Sequence, residues 1–120
     1  MTRIRTLIGF AGAAALAVAA PALAHTRLVS SNPAANATVK APATITLRFS
    51  ERLVPAFSKF DLSMPAHRMV VPVRTAISAD GQQIVGTPTA ALAAGEYTVT
   101  WTVASQDGHR MTGHFNFKVS

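Results

Sequence analysis

Short stretches in which apolar and polar residues alternate recur along the chain after residue 24. Ile45, Leu47 and Phe49 share one face of an extended segment over 44–50, and the same period of two recurs over 96–103 and 112–119. The helical repeat of apolar residues at i, i+3 and i+4 is hard to find. The pattern therefore predicts an all-β protein, with its clearest strands in these three segments.

Four weaker strands are predicted in the remaining chain, each bounded by turn-forming residues such as Asn32-Pro33 and Asp80-Gly81. They cover 27–30, 59–64, 69–75 and 83–87. The total is about seven short strands, with turns at intervals of roughly 8 to 12 residues. That spacing is typical of a Greek-key β-sandwich or small barrel of the immunoglobulin-like kind.

The first 24 residues differ in composition from the rest. Arg3 and Arg5 precede an apolar run over 7–20, and residues 22–24 give the small-residue A-x-A pattern. This order is that of a secretory signal peptide cleaved after Ala24. The run is shorter than the roughly 20 residues that cross a bilayer. We therefore predict an exported, periplasmic protein that is not embedded in the membrane.

Cleavage after Ala24 leaves 96 residues, which suffice for one compact core and are too few for two. The predicted organisation is a signal peptide over 1–24 and one domain over 25–120, expected to be a monomer. Without Arg3 and Arg5 the chain keeps nine basic and five acidic side chains. The basic residues stand singly, unlike the basic stripe of a nucleic-acid-binding surface, so we expect no nucleic-acid partner.

The chain contains no cysteine, so any metal must be held by nitrogen, oxygen or thioether. His25 follows the predicted cleavage site directly. A histidine at a new amino terminus offers its α-amine and its ring Nδ1, which can close a chelate ring of the kind that Cu(II) favours. The alternative is that cleavage leaves an arbitrary residue there, because the position after A-x-A tolerates many.

Two further segments carry candidate oxygen and nitrogen donors. Asp107 and His109 lie two residues apart after the strand over 96–103, so an extended backbone points both to the same side. The alternative is an ordinary turn, which Asp-Gly favours. The parity of the strand over 44–50 carries Glu51 toward the buried face, where it would orient or bind a metal, or pair with a nearby arginine.

Met64, His67 and Met69 place two thioethers and an imidazole within six residues. Thioether donors favour Cu(I), but methionines in a β protein also serve as core packing. His114 alternates with apolar residues of the last predicted strand and faces outward, so we expect it to be a surface residue.

Together these segments resemble the CopC-like periplasmic copper-binding proteins, a family of copper resistance and copper homeostasis proteins. The resemblance spans nearly all of the chain after residue 24 and rests on the order and spacing of its parts. They are His25, LVSSNPA over 28–34, LRFSE over 47–51, LAAGEY over 92–97, WTVASQDGH over 101–109, and Thr112-Gly113.

The resemblance implies a cupredoxin-like or immunoglobulin-like β-barrel that binds one Cu(II) ion. The ligands it implies are the amine and ring of His25, the pair Asp107 and His109, and a nearby acidic residue, Glu51. A loop rich in methionine, which often holds Cu(I) in this family, is here reduced to Met64, His67 and Met69. The expectation is thus a one-site Cu(II) binder with at most a weak Cu(I) site, and a CopD-like inner-membrane copper transporter as its partner.

Three functions follow from these observations. The first is a non-enzymatic protein that sequesters Cu(II) or delivers it to a membrane transporter. The second is a small copper oxidase that resembles lytic polysaccharide monooxygenases, in which His25 and His109 would form a histidine brace. The third is a metal-free immunoglobulin-like interaction module. We predict the first, because Asp107 would occupy an equatorial position that an oxidase keeps open for oxygen.

Overall fold

Alternation of apolar and polar residues places one face of each long strand in a core between two sheets. The computed structural model describes residues 25–120, in which nine strands and two short 3-10 helices form a β-sandwich. The strands are β1 Leu28–Asn32, β2 Thr38–Val39, β3 Ile45–Phe49, β4 Lys59–Met64, β5 Met69–Val71, β6 Val73–Ile77, β7 Gln83–Pro88, β8 Gly95–Ala104 and β9 Arg110–Val119. The helices are Pro55–Phe57 and Pro65–His67.

The two sheets have different strand orders. The first sheet has the order β1-β3-β7-β6 and is antiparallel throughout. The second has the order β2-β9-β8-β4-β5, in which only the short pairing of β2 with β9 is parallel. Strands β8 and β9 pair over their full length, from Gly95 opposite Val119 to Ala104 opposite Arg110. This long hairpin fixes its connecting loop, residues 105–109, at one end of the sandwich.

The core lies between the two sheets and includes the inward faces of β3 and β8. Ile45, Leu47 and Phe49 are at most 1% exposed, as the period of two predicts. The Phe49 ring packs edge-on against Trp101, with 5.2 Å between ring centroids. The Trp101 indole also covers Gly113 on β9, where a Cβ atom would clash with the ring, so only glycine fits there.

The prediction of an all-β sandwich is confirmed, and the structure has nine strands where the sequence predicts about seven. One addition is the two-residue strand β2. The other arises because the predicted strand over 69–75 is two strands, divided at Pro72: β5 pairs with β4 in one sheet and β6 with β7 in the other. Proline lacks the N–H that would continue a ladder, so the chain changes sheets there.

The predicted signal peptide, residues 1–24, lies outside the described residues. Within 25–120, no helix has both the length and the apolar character needed to cross a membrane.

Candidate metal centre

The loop between β8 and β9 is closed by backbone hydrogen bonds around the Asp-Gly turn. The Ser105 N–H donates to the His109 carbonyl at 3.1 Å, and the Gly108 N–H donates to the Ser105 carbonyl at 3.0 Å. Gly108 has φ +88°, a left-handed conformation that glycine adopts without steric cost. The turn interpretation and the metal-site interpretation of this segment are therefore compatible, because the turn brings Asp107 and His109 together.

Asp107 accepts two hydrogen bonds within this loop and also contacts the His109 ring. The Ser105 hydroxyl donates to Oδ1, which also accepts from the His109 N–H at 3.1 Å. Oδ2 lies 2.9 Å from His109 Nδ1. The Ser105 hydroxyl, followed by the side chain and N–H of His109, holds the pKa of Asp107 well below its usual 3.8. The loop therefore presents an ionised carboxylate beside an imidazole nitrogen.

His25 reaches the same end of the sandwich from the other sheet. Its exposed ring lies with its centroid 6.1 Å from that of His109, and the two ring planes meet at 73°. His25 precedes β1 in the first sheet, whereas His109 precedes β9 in the second. The two sheets are tied together close by, since Leu53 forms a β-bridge with Ser105 and the Val54 N–H donates to the Ala104 carbonyl at 2.8 Å.

Glu51 holds the segment that follows His25. The hydroxyl of Thr26, which is only 2% exposed, donates to Glu51 Oε2 at 3.2 Å. Next to it, the Arg27 N–H donates to Ser50 Oγ at 3.1 Å and the Ser50 N–H donates to the Arg27 carbonyl at 3.0 Å. Neither of the two ion pairs within residues 25–120 involves Glu51, so the alternative of an arginine partner is not seen in this part of the chain. The carboxylate instead orients the backbone that carries His25.

Met64 and Met69 face each other across the hairpin of β4 and β5. Met64 is 7% exposed and Met69 is 54% exposed, while His67 is exposed in the short helix between them. Met64 and Tyr97 line the same small cavity, eight residues along β8 from Ser105. At about 3.3 Å per residue, the methionine pair is about 26 Å from the loop that holds His109.

His114 is exposed and lies opposite Thr100 in the β8–β9 ladder, facing away from the core as predicted. Within residues 25–120, no group of three or more His, Cys, Asp or Glu side chains is gathered closely enough to hold a metal. His25 and His109 lie close to each other, with 6.1 Å between their ring centroids, and Asp107 Oδ2 lies 2.9 Å from His109 Nδ1. A complete donor set from these residues needs the α-amine that cleavage before His25 would create.

The sequence does not predict the roles of two residues in this region. They are Ser105, which is 2% exposed and supports Asp107, and Thr26, which links His25 to Glu51. A serine two residues before an aspartate is a weak signal for a local hydrogen bond. Nothing in the sequence indicates that Thr26 meets Glu51, because 25 residues separate them.

Comparisons of the sequence with a family model and with known proteins indicate the same family. The model of the CopC domain matches residues 28–120. The copper resistance protein C of Xanthomonas campestris pv. juglandis is 44% identical over 112 residues, which cover 88% of each chain.

Solved structures of the family also resemble this one. PcoC from Escherichia coli, described as a methionine-rich copper resistance protein, is 40% identical with a TM-score of 0.74, covering 81% of this chain and all of its own. CopC from Methylosinus trichosporium OB3b is 31% identical with a TM-score of 0.71, covering 80% of this chain and 94% of its own. The sandwich described above is thus the fold of these relatives.

Proposed function

The chain belongs to the CopC domain family, and we propose that its processed form, starting at His25, is a periplasmic protein that binds one Cu(II) ion per chain. The observation that carries the proposal is the meeting of His25, from one sheet, with Asp107 and His109, from the other. The names of its relatives as copper resistance proteins support the same metal.

The spacing of the donors suits a tetragonal ion. Bonds of about 2 Å from a divalent first-row metal to nitrogen or oxygen put adjacent corners of a square plane about 2.8 Å apart. Asp107 Oδ2 and His109 Nδ1 are 2.9 Å apart, and in the tautomer of His109 that carries its proton on Nε2 these two atoms match two adjacent corners. A bound ring has its centroid about 3 Å from the metal, and the 6.1 Å between the rings of His25 and His109 spans two such distances.

The remaining donor is the α-amine of His25. In the unprocessed chain this nitrogen belongs to a peptide bond and cannot serve, whereas after cleavage it joins the ring Nδ1 of the same residue in a chelate. Three nitrogens and one carboxylate oxygen then complete a plane of the type that Cu(II) prefers. In this arrangement Glu51 is not a ligand, and it contributes by holding Thr26 and hence His25 in place.

Exposure of the site supports a role in carrying copper. The side chains of His109 and Asp107 are 58% and 53% exposed, and His25 is exposed as well. A partner can therefore approach the ion and replace its ligands one at a time. We infer that the protein sequesters periplasmic Cu(II) or passes it to a CopD-like membrane transporter, with copper as its cargo and no enzymatic reaction.

The methionine hairpin is at most a weak Cu(I) site in this proposal. Met64 is committed to the core, which leaves Met69 and His67 as exposed donors. Two exposed donors and one buried thioether are a poor set for a soft ion that prefers several sulfur ligands.

Titration of the processed chain with Cu(II) tests the main proposal. We expect one ion per chain and an electron spin resonance spectrum of nitrogen-rich tetragonal copper. His109→Ala, with the same terminus, is the matched variant and should lose most of the affinity. A stoichiometry near zero, or a preference for tetrahedral zinc, would contradict the proposal.

A further inference from the structure

A groove of about 560 Å³ runs along the outer edge of β6, close to the candidate metal centre. Its wall and floor come from four strands and the first short helix. The residues that matter most are Phe57, Lys59, Thr75, Ile77 and Arg110.

Strand β6 has a free edge on the groove side. It is the last strand of its sheet within residues 25–120 and pairs only with β7. The Ser78 N–H bonds to the Gln83 carbonyl at 3.0 Å, and the Thr89 N–H to the Pro72 carbonyl at 3.1 Å. Backbone groups alternate in direction along a strand, so Thr75 and Ile77 point their N–H and C=O groups away from β7. These groups are available to another extended chain.

The side chains around this edge are apolar or positively charged. Phe57 is 54% exposed, and the Arg110 guanidinium carbon lies 4.9 Å from the centre of its ring. Lys59 supplies a second positive charge, and no acidic residue lines the groove. Neither cation belongs to an ion pair within residues 25–120. The groove thus offers strand-pairing groups, an aromatic surface and two unneutralised positive charges.

We propose that this groove binds an extended acidic segment of a partner protein, which adds to β6 as a further strand. Main-chain hydrogen bonds to Thr75 and Ile77 hold the segment, and its carboxylates meet Lys59 and Arg110. A second copy of this chain is a poor occupant, because pairing β6 with β6 would bring the same positive charges together.

The groove lies beside the candidate metal centre, so the proposed interaction would bring a partner protein close to the bound copper. This consequence, unlike the binding itself, rests on the proposed function. Arg110 directly follows His109, so a segment bound at Arg110 lies beside the candidate metal centre. A copper-accepting partner docked there would have its own ligands within reach of the ion.

The test uses the metal-free processed chain labelled with nitrogen-15 and the capped peptide acetyl-Val-Asp-Val-Asp-Val-amide. We expect the amide signals of Thr75, Ala76 and Ile77 to shift in a saturable way, and the binding to weaken as salt is added. The matched peptide with lysine in place of both aspartates should bind at least ten-fold more weakly. Because no copper is present, this result is independent of whether the chain binds the metal.

Substitutions of single basic residues test whether the acidic peptide binds in the groove. Lys59→Gln and Arg110→Gln should each weaken the acidic peptide about two- to five-fold, the effect of losing one exposed ion pair. Arg74→Gln is the control, because it removes the same charge from an exposed position of β6 that does not line the groove. An equal loss in the control, equal binding of the lysine peptide, or no shifts along β6 would overturn the proposal. So would concentration-dependent shifts of the same amides without peptide, which would assign the edge to self-association.

Discussion

Adding a single alanine before His25 separates the amine from the imidazole without altering the folded domain. The segment that follows His25 is fixed by the hydrogen bond from the Thr26 hydroxyl to Glu51 and by two hydrogen bonds between Arg27 and Ser50. These contacts do not involve the His25 nitrogen, so the ring should keep its place 6.1 Å from the ring of His109. The His25 nitrogen, however, becomes an amide and the free amine moves one residue away.

The expected loss follows from these distances. Consecutive Cα atoms are about 3.8 Å apart, so the amine moves by more than the roughly 2 Å length of a metal–nitrogen bond. Removing a group that only orients a ligand typically costs 10- to 100-fold in metal affinity. Loss of a ligand together with its chelate ring should exceed that range. Stability should change by less than about 0.5 kcal/mol, because the added residue is on the surface.

Competition with a chelator of known Cu(II) affinity measures the effect. The processed chain is compared with the alanine-extended chain and with a control that carries one alanine after Ser120. The control should bind as tightly as the processed chain, and all three should unfold at the same temperature without metal. If the extended chain keeps its affinity, His25 is not a two-nitrogen ligand and the proposed site is wrong.

Four further outcomes are expected. Cu(II) affinity should fall between pH 8 and 5, because protons compete with the ion for the amine and imidazole nitrogens. The lowered pKa of Asp107 keeps its carboxylate ionised throughout this range, and an affinity that does not change with pH would contradict the donor set. Ser105→Ala should weaken Cu(II) binding about 10- to 100-fold, and unchanged affinity would show that Asp107 needs no support. Glu51→Gln should cost less than His109→Ala in the same titration, since its carboxylate acts only through the backbone; an equal loss would make Glu51 a ligand. Replacing Met64 and Met69 by leucine should change stability by less than about 1.5 kcal/mol, and loss of tight Cu(I) binding would refute the one-site proposal.

Most of the fold could be predicted from alternation alone, because residues such as Leu47 and Val99 are buried by a rule with a period of two. The rule has no information on pairing. Alternation therefore predicts a single strand over 69–75, although the residues before and after Pro72 belong to different sheets. It also missed β2, since two residues are too few to show a period.

Only part of the candidate site could be predicted from the spacing of its residues. The spacing predicts that Asp107 lies near His109, because the two residues are only two positions apart in a loop of five residues. Nothing in the spacing brings His25 to them, since His25 is 84 positions from His109 in the sequence. That meeting depends on how the two sheets pack, and in particular on the bridge between Leu53 and Ser105. The sequence indicated it only through resemblance to a family.

The groove beside β6 could not be predicted by either route. Its positive charges, Lys59 and Arg110, stand singly in the sequence and read as ordinary surface residues. They become one feature only because β4, which carries Lys59, and the start of β9 lie near the same free edge.

The length of β8 limits what the two candidate copper regions can do together. His109 follows the end of this strand, whereas Met64 lies beside its start, about 26 Å away at about 3.3 Å per residue. No single ion can contact both regions, and no side chain is long enough to pass an ion between them. Copper held at the proposed site of His25 and His109 would therefore leave directly to solvent or to a partner at that end of the sandwich. The acidic segment proposed for the groove would place such a partner there, whereas the methionine hairpin cannot.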